Sequence, residues 1–349
     1  VIQVMDGRPE PLDRERDLRE RVSAYPGTLT YIDLIRRNKA ESAMLIALMI
    51  LLGGAVGALI GGAIAMGATG RDLAISATLG GVAALVVASL GALWSWFGGS
   101  NAILRMAGAV EVSRETDLEL WNVVDEMRIA AGLPMPRVYL IPESALNAFA
   151  TGRDPSHAAV AITTGLRQRL TRDELQGVIA HEVAHIRHYD IRFAMLMATM
   201  VGLIVFACDA FLRGVMRSGV RGAARSRSRS SNGGGGAAAI VMIVLALALA
   251  VIAPFLAQMI QMAYSRKREY LADAGAVELT RNPLGLAGAL RKLADDSEPL
   301  VERANRGTAH MFIMNPLRRD RRAHGERSSV FSSHPPVRER IARLMALAR

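Results

Sequence analysis

The sequence predicts a mainly α-helical integral membrane protein that also carries a small antiparallel β-sheet. Three observations carry this expectation. Four long apolar blocks are separated by charged segments. Short strand-like runs lie between the second and third blocks, and capped amphipathic patterns flank those runs. A bilayer-crossing helix needs about 20 apolar residues. The charge-free stretches 42–70 and 73–104 exceed that length, 193–212 reaches it with Asp209 near its end, and 237–265 exceeds it with Pro254 inside. About four transmembrane helices are therefore expected, with a buried soluble helix as the lesser alternative for the third block.

The composition fits this alternation, with 51% hydrophobic and 21% charged residues. The net charge of +10 suits either nucleic acid or an anionic lipid surface. Aromatic residues are only 5%, and none interleave with basic runs as a single-strand stacking platform requires. The expected partner is the lipid bilayer, with no nucleic acid. The single cysteine, Cys208, permits no internal disulfide and no cysteine-rich zinc site, so any metal must be held by His and carboxylates. The polar opening, with its charge cluster at 13–21, does not read as a secretory signal.

In chain order, the expected parts are a polar segment (1–40), a membrane helix pair (41–104), a polar domain part (105–190), two further apolar helices (191–265) and a second polar domain part (266–349). Gly53, Gly57 and Gly61 recur every four residues in the first block. That spacing either lets two membrane helices approach closely or reflects no more than glycine-rich membrane composition. Trp94 and Trp96 close the second block, where an interfacial aromatic belt would lie. A helix over 115–131 is stopped by Gly132 and Pro134. Strands follow over 137–141, 146–150 and 158–163, with Gly152, Asp154 and Pro155 turning the chain between the last two. Thr171 and Glu174 form a capping box that starts the next helix. Between blocks three and four, 213–236 holds six arginines, many serines and four consecutive glycines, and is expected to be a flexible loop.

The capped helix carries His181-Glu182-Val183-Ala184-His185. Residues four apart share a helix face, so both imidazoles can reach one ion, and zinc accepts such nitrogens tetrahedrally. Glu182 stands beside the metal without ligating it. There it can take a proton from the attacking water and return it to the leaving amine. The expected cofactor is one Zn²⁺ per chain. A third ligand is needed. Position 188 is His and 191 is Ile, which excludes the HExxHxxGxxH class, and no Asp-Gly pair follows as in site-2 intramembrane proteases. Glu269 and Asp273 lie four apart just after the fourth block. Glu269 is the candidate ligand, and Asp273 is placed to orient a ligand imidazole. His188 and Asp190 follow the motif and are candidates for a similar supporting role.

HEVAH, REYLADAGAVEL and FSSHPPVRERI, in that order, resemble the HtpX-type membrane peptidases, relatives of the CAAX prenyl endopeptidases. The likeness extends over about 30–349 and includes Asn147, Ala148, Phe149 and Ala150, similar to the family's substrate-binding edge strand. It implies a gluzincin fold, zinc on two His and one Glu, and endoproteolysis of membrane or misfolded proteins in quality control. In the family pattern the His-Pro-Pro element lies near the active site, so His334 is expected either to donate to the oxyanion, to cap the zinc in a resting form, or to rigidify a helix start. Arg340 would contact substrate backbone or pair with an acid.

Competing readings are a site-2-type intramembrane protease and a non-catalytic membrane scaffold that binds unfolded proteins. The basic residues Arg36, Arg37, Lys39, Arg266, Lys267 and Arg268 flank the first and fourth blocks and place both ends, with the active site, in the cytosol, most simply of a bacterial inner membrane. The arginines of 213–236 oppose that orientation if blocks three and four both cross.

Overall fold

The computed structural model describes residues 31–68, 73–226, 235–295 and 335–348. Helix α1 (Tyr31–Ala68) is followed by α2 (Leu73–Trp94), which runs through a π-helical turn at Ser95–Gly99 into α3 (Ser100–Met106). Next come β1 (Val110–Glu111), α4 (Leu118–Ala131), β2 (Arg137–Ile141), β3 (Ala148–Thr151), β4 (Ala159–Thr163) and α5 (Thr164–Arg169). Helices α6 (Arg172–Arg187), α7 (Asp190–Ser226), α8 (Gly235–Thr280), α9 (Pro283–Asp295) and α10 (Val337–Leu347) complete the chain.

Three helical stretches are long and apolar enough to cross a membrane among the described residues: Ala40–Ala63, Ala74–Met106 and Asp190–Gly214. The expected fourth span is not among them, since the apolar stretch described in α8 is only Leu247–Ala257. Glycine decides how α1 meets α2. A Cβ on Gly57 would lie 2.2 Å from the Ala84 Cβ and 2.7 Å from the Gly80 carbonyl oxygen, and one on Gly61 would lie 2.9 Å from the Gly80 Cα. The close-approach reading of the glycine spacing therefore holds at Gly57 and Gly61, whereas Gly53 faces open space.

The sheet has the order β1-β2-β4-β3 and is mixed, not wholly antiparallel as expected: β2 and β4 run parallel. Parallel neighbours need a crossover, and β3 supplies it by folding back as an antiparallel edge against β4. Side chains alternate between faces. Val138, Val160, Ile162, Ala148 and Ala150 join a core with α4, α6, α9 and α10. Tyr139, Ile141, Ala159, Ala161 and Phe149 pack on the other face against Ile103, Leu104 and Met195 from the membrane helices. The sheet thus joins α4, α6, α9 and α10 to the ends of the apolar helices.

Local signals set most boundaries. Asp117 caps α4 by accepting from the Leu120 N–H, so this helix starts at Leu118 rather than at 115. Gly132 ends it in the left-handed region with φ 66°. The capping box of Thr171 and Glu174 is present. Strand β3 begins at Ala148, two residues later than expected, because the Asn147 backbone leads into the pairing with Thr163. Helix α7 continues to Ser226, so the expected loop over 213–236 is helical in its first part and again from Gly235. Arginine and serine do not break a helix that apolar residues have already nucleated.

Candidate metal centre

Helix α6 brings His181 and His185 onto one face, with their Nε2 atoms 3.2 Å apart. Helix α8 supplies Glu269, whose carboxylate oxygens lie 3.7 Å from His181 Nε2 and 3.6 Å from His185 Nε2. The three candidate ligand atoms lie within 4.8 Å of one another. A tetrahedral zinc with bonds of about 2.0–2.1 Å has ligand-to-ligand edges of about 3.3–3.4 Å. The two imidazole nitrogens are close to that edge and each faces a different Glu269 oxygen within 3.7 Å, so the donor set fits the ion in chemistry and brings its donors within reach of one ion.

Each imidazole is held from behind by a carboxylate, which turns Nε2 inward. His181 Nδ1 stands 3.0 Å from Asp273 Oδ1, one helical turn beyond Glu269 on α8. His185 Nδ1 stands 3.0 Å from Asp190 Oδ2. The other Asp190 oxygen binds Arg268 of α8, whose Nη2 donates to Ser42 Oγ on α1 over 2.8 Å. A chain of contacts therefore runs from a candidate metal ligand to the first membrane helix. The turn that swings Asp190 under His185 is made at Tyr189, which adopts φ 62°.

Arg340 from α10 completes the cluster. Its Nε and Nη2 donate to the two Asp273 oxygens over 2.9 and 2.7 Å, and Nη1 lies 3.1 Å from Glu269 Oε2. Arg340 is completely buried. Of its two expected roles, acid pairing is the one the structure shows. Its Nε and Nη2 are engaged by Asp273 and its Nη1 faces Glu269, with no surface exposed.

The charge states follow from burial and neighbours. Burial pushes the His181 imidazole below its usual pKa, with Arg340 adding to the effect and Asp273 opposing it, so His181 is neutral and its lone pair is available. Burial works against a charged His185 as well, but Asp190 and Glu269 hold it up to about 9. Glu182 is pushed up to about 7 by burial, with Glu269 adding and His185 and the Ala150 N–H opposing. A carboxylate poised there can both accept and donate a proton near neutral pH.

Strand β3 forms the sheet edge beside Glu182. Asn147 accepts from the Thr163 N–H, so antiparallel alternation pairs Phe149 with Ala161 in the same way and turns the backbones of Ala148 and Ala150 outward. In this register the Phe149 side chain is in the core and its backbone serves β4. Asn147 spends its backbone likewise, and its Oδ1 accepts from the Ala148 N–H over 3.1 Å. Among the expected strand residues, Ala148 and Ala150 are those that face the site. His334 lies outside the described residues.

Two members of the cluster carry little signal in the sequence. Asp190 and Arg268 are charges at the edges of apolar blocks, which is the one feature that could have paired them. Their partnership spans 78 positions and needs the fold.

Comparison with known proteins agrees with this site. Residues 114–348 match the model of peptidase family M48. A protein named Protease HtpX homolog from Ligilactobacillus salivarius is 40% identical over 310 residues, covering 89% of this chain and 97% of that one. Its namesake from Thermodesulfovibrio yellowstonii is 46% identical over 270 residues, covering 77% and 89%. Among solved structures, Ste24p of S. mikatae aligns over 95% of this chain and 74% of its own, at 17% identity and a TM-score of 0.48. The chain therefore belongs to peptidase family M48 and is a membrane metalloprotease.

Proposed function

We propose that the metal is zinc, held by His181, His185 and Glu269, and that the enzyme is an endopeptidase that cuts membrane or misfolded proteins on the cytosolic side of a bacterial inner membrane. The observation that carries this reading is the cluster of two neutral-capable imidazole nitrogens and one carboxylate within reach of one ion, with Glu182 buried next to it. Zinc, when bound, would polarise the scissile carbonyl and acidify the attacking water.

The chain's own residues account for the remaining steps. An extended substrate pairs with the outward carbonyls of Ala148 and Ala150 and is drawn along the β3 edge past Glu182. Glu182, buried beside the ligands, accepts the proton of the attacking water and delivers it to the leaving amine. Asp273 and Asp190 keep His181 and His185 in the tautomer that points Nε2 inward. Arg340 balances the charge of Glu269 and Asp273, so that two carboxylates coexist in a buried site. His334, on the segment leading into α10, is proposed to donate to the developing oxyanion. Location on the membrane brings the edge strand close to segments leaving the bilayer, which supports substrates of that kind.

The test is zinc quantification on purified protein, paired with cleavage of an unfolded substrate. Wild type should carry one zinc per chain. Glu182→Gln should keep the zinc and lose at least about 100-fold in rate, the low end for a positioned general base. Absence of zinc from the active protein, or wild-type cleavage by Glu182→Gln, would overturn the assignment.

A further inference from the structure

Where α1 meets the corner between α6 and α7, the structure forms an open-mouthed cavity of about 210 Å³. Its wall includes Ser42, Ile46, Trp96, Tyr189, Arg192 and Leu196. This lies below the roughly 300–1,000 Å³ of sites that enclose a whole drug-sized molecule, so it suits one end of a ligand. The candidate spans begin at Ala40 and Asp190. Ser42 and Arg192 therefore each sit two residues inside a span, at the level where headgroups give way to chains.

Arg192 is the unusual member. Its guanidinium lies over the Trp96 ring at 4.8 Å and over the Tyr189 ring at 5.1 Å, while Nε donates to the Arg153 carbonyl over 2.6 Å. These contacts fix the plane of the group and leave its two Nη ends without a protein acceptor among the described residues. Elsewhere in this region the arginines have acids: Arg268 pairs with Asp190, Arg340 with Asp273, Arg187 with Glu278 and Arg153 with Asp154. A half-buried guanidinium, oriented but lacking a counter-charge, is built to accept an oxyanion, and phosphate matches its fork in bidentate fashion. The left-handed backbone at Tyr189, which a non-glycine residue rarely adopts, places its ring against Arg192.

We infer that this cavity is a headgroup site for an anionic phospholipid, with Arg192 binding the phosphate and Ile46, Phe193 and Leu196 receiving the first carbons of a chain. Two features favour a lipid over free phosphate: the apolar wall, and the belt of Trp94, Phe97 and Trp96 around the entrance level, where Arg153 also lies over Phe97 at 5.5 Å. The site is separate from the catalytic cluster. It borders it through Ser42, which also holds Arg268, through Phe193, whose ring lies under Arg268 at 4.8 Å, and through His188 in the cavity wall.

The test uses the full chain in detergent, titrated with dioleoyl phosphatidylglycerol, dioleoyl phosphatidylcholine or inorganic phosphate. Retained lipid is counted by native mass spectrometry, and melting temperature and zinc content are followed in parallel. Wild type should retain one phosphatidylglycerol on the order of tenfold more tightly than phosphatidylcholine, whose phosphate charge is offset by a choline cation that would stand beside the arginine. Arg192→Gln should lose that preference at unchanged zinc content, while Arg128→Gln, an equal charge change at a half-buried position of α4 outside the cavity lining, should keep it. Ile46→Trp, which fills the cavity and leaves the arginine, should lose it too and carries the test if Arg192→Gln does not fold. Equal retention of both lipids by wild type, a preference that survives both cavity variants, or inorganic phosphate competing as well as the lipid would each overturn the proposal. None of these readouts depends on proteolysis.

Discussion

Arg340 and Asp273 face each other as a planar pair, with two parallel N–H···O bonds of 2.9 and 2.7 Å, in a place where the arginine has no exposed surface at all. The same aspartate stands 3.0 Å from His181 Nδ1. Burial opposes ionisation of Asp273, yet Arg340 and His181 outweigh it and hold the carboxyl down to about 2. Helix α10, near the chain end, is in this way tied to a ligand of the candidate metal.

Truncation of that arginine should therefore act on stability and on the site together. Arg340→Ala leaves two carboxylates buried without their counter-charge, and breaking such a pair from one side costs about 3–5 kcal/mol. Thermal unfolding in detergent should show a large drop. Arg340→Lys, which keeps the charge but not the fork, should fall between the two. A melting temperature for Arg340→Ala equal to wild type would show that the pair contributes nothing net.

Asp190 is predicted to position His185 rather than to take part in the chemistry. Asp190→Asn should weaken zinc binding by roughly 10–100-fold, the usual effect of removing a carboxylate behind a ligand imidazole. Competition with a chelator of known affinity measures this directly. Ser42→Ala removes only the far end of the same chain of contacts, and should cost about 1 kcal/mol of stability with a much smaller change in zinc affinity. A zinc affinity unchanged in Asp190→Asn would remove Asp190 from the site's support.

His188 should make stability depend on pH. Burial pulls its pKa down to about 4, with His185 and Arg187 adding to the effect and Asp190 opposing it. The unfolded chain takes up a proton on this residue below about pH 6.5, whereas the folded chain takes none until about pH 4. Between those values the unfolded state binds more protons. Stability from this group is thus complete above pH 6.5 and is lost as pH falls towards 4, by on the order of 3 kcal/mol. Unfolding of wild type and His188→Gln across pH 4–7 checks this: the mutant should lose that part of the slope, and parallel curves would contradict the assignment.

Two glycines in neighbouring helices should respond in opposite ways to alanine. A Cβ on Gly177 of α6 would lie 2.5 Å from the Leu286 nitrogen and 2.8 Å from its Cα, both backbone atoms that cannot turn aside. Gly177→Ala should destabilise by about 1–3 kcal/mol, as overpacking does. Gly202 of α7 has nothing within 4 Å of the same position, so Gly202→Ala should be neutral or should stabilise by up to about 1 kcal/mol through helix propensity. Melting temperatures of the two variants decide it.

Patterns that repeat within a few residues are legible in the amino-acid sequence. The capping box, the spacing of His181 and His185, the spacing of Glu269 and Asp273, and strand β2 depend on neighbours no more than one helical turn or one strand away. Helix periodicity or strand alternation fixes such geometry wherever the element goes. Features that depend on a distant partner are legible only in part. The parallel pairing of β2 with β4 makes the sheet mixed rather than antiparallel, and the register of β3 gives the outward role to Ala148 and Ala150 rather than Phe149. Nothing local in a strand specifies which neighbour it accepts.

By itself, then, the sequence determined the identity and local spacing of the two imidazoles, of Glu182 beside them and of the Glu269–Asp273 pair, because each of these is a property of a single helix. Only the tertiary structure decided that α6 and α8 meet with their ligand atoms within 4.8 Å, that Arg340 is spent on Asp273 and Glu269, and that Asp190 links His185 to Arg268 and to Ser42 on the first membrane helix. The reason is energetic. A buried charge must find its opposite wherever the packed helices bring one within reach, and that partner has no fixed distance along the chain.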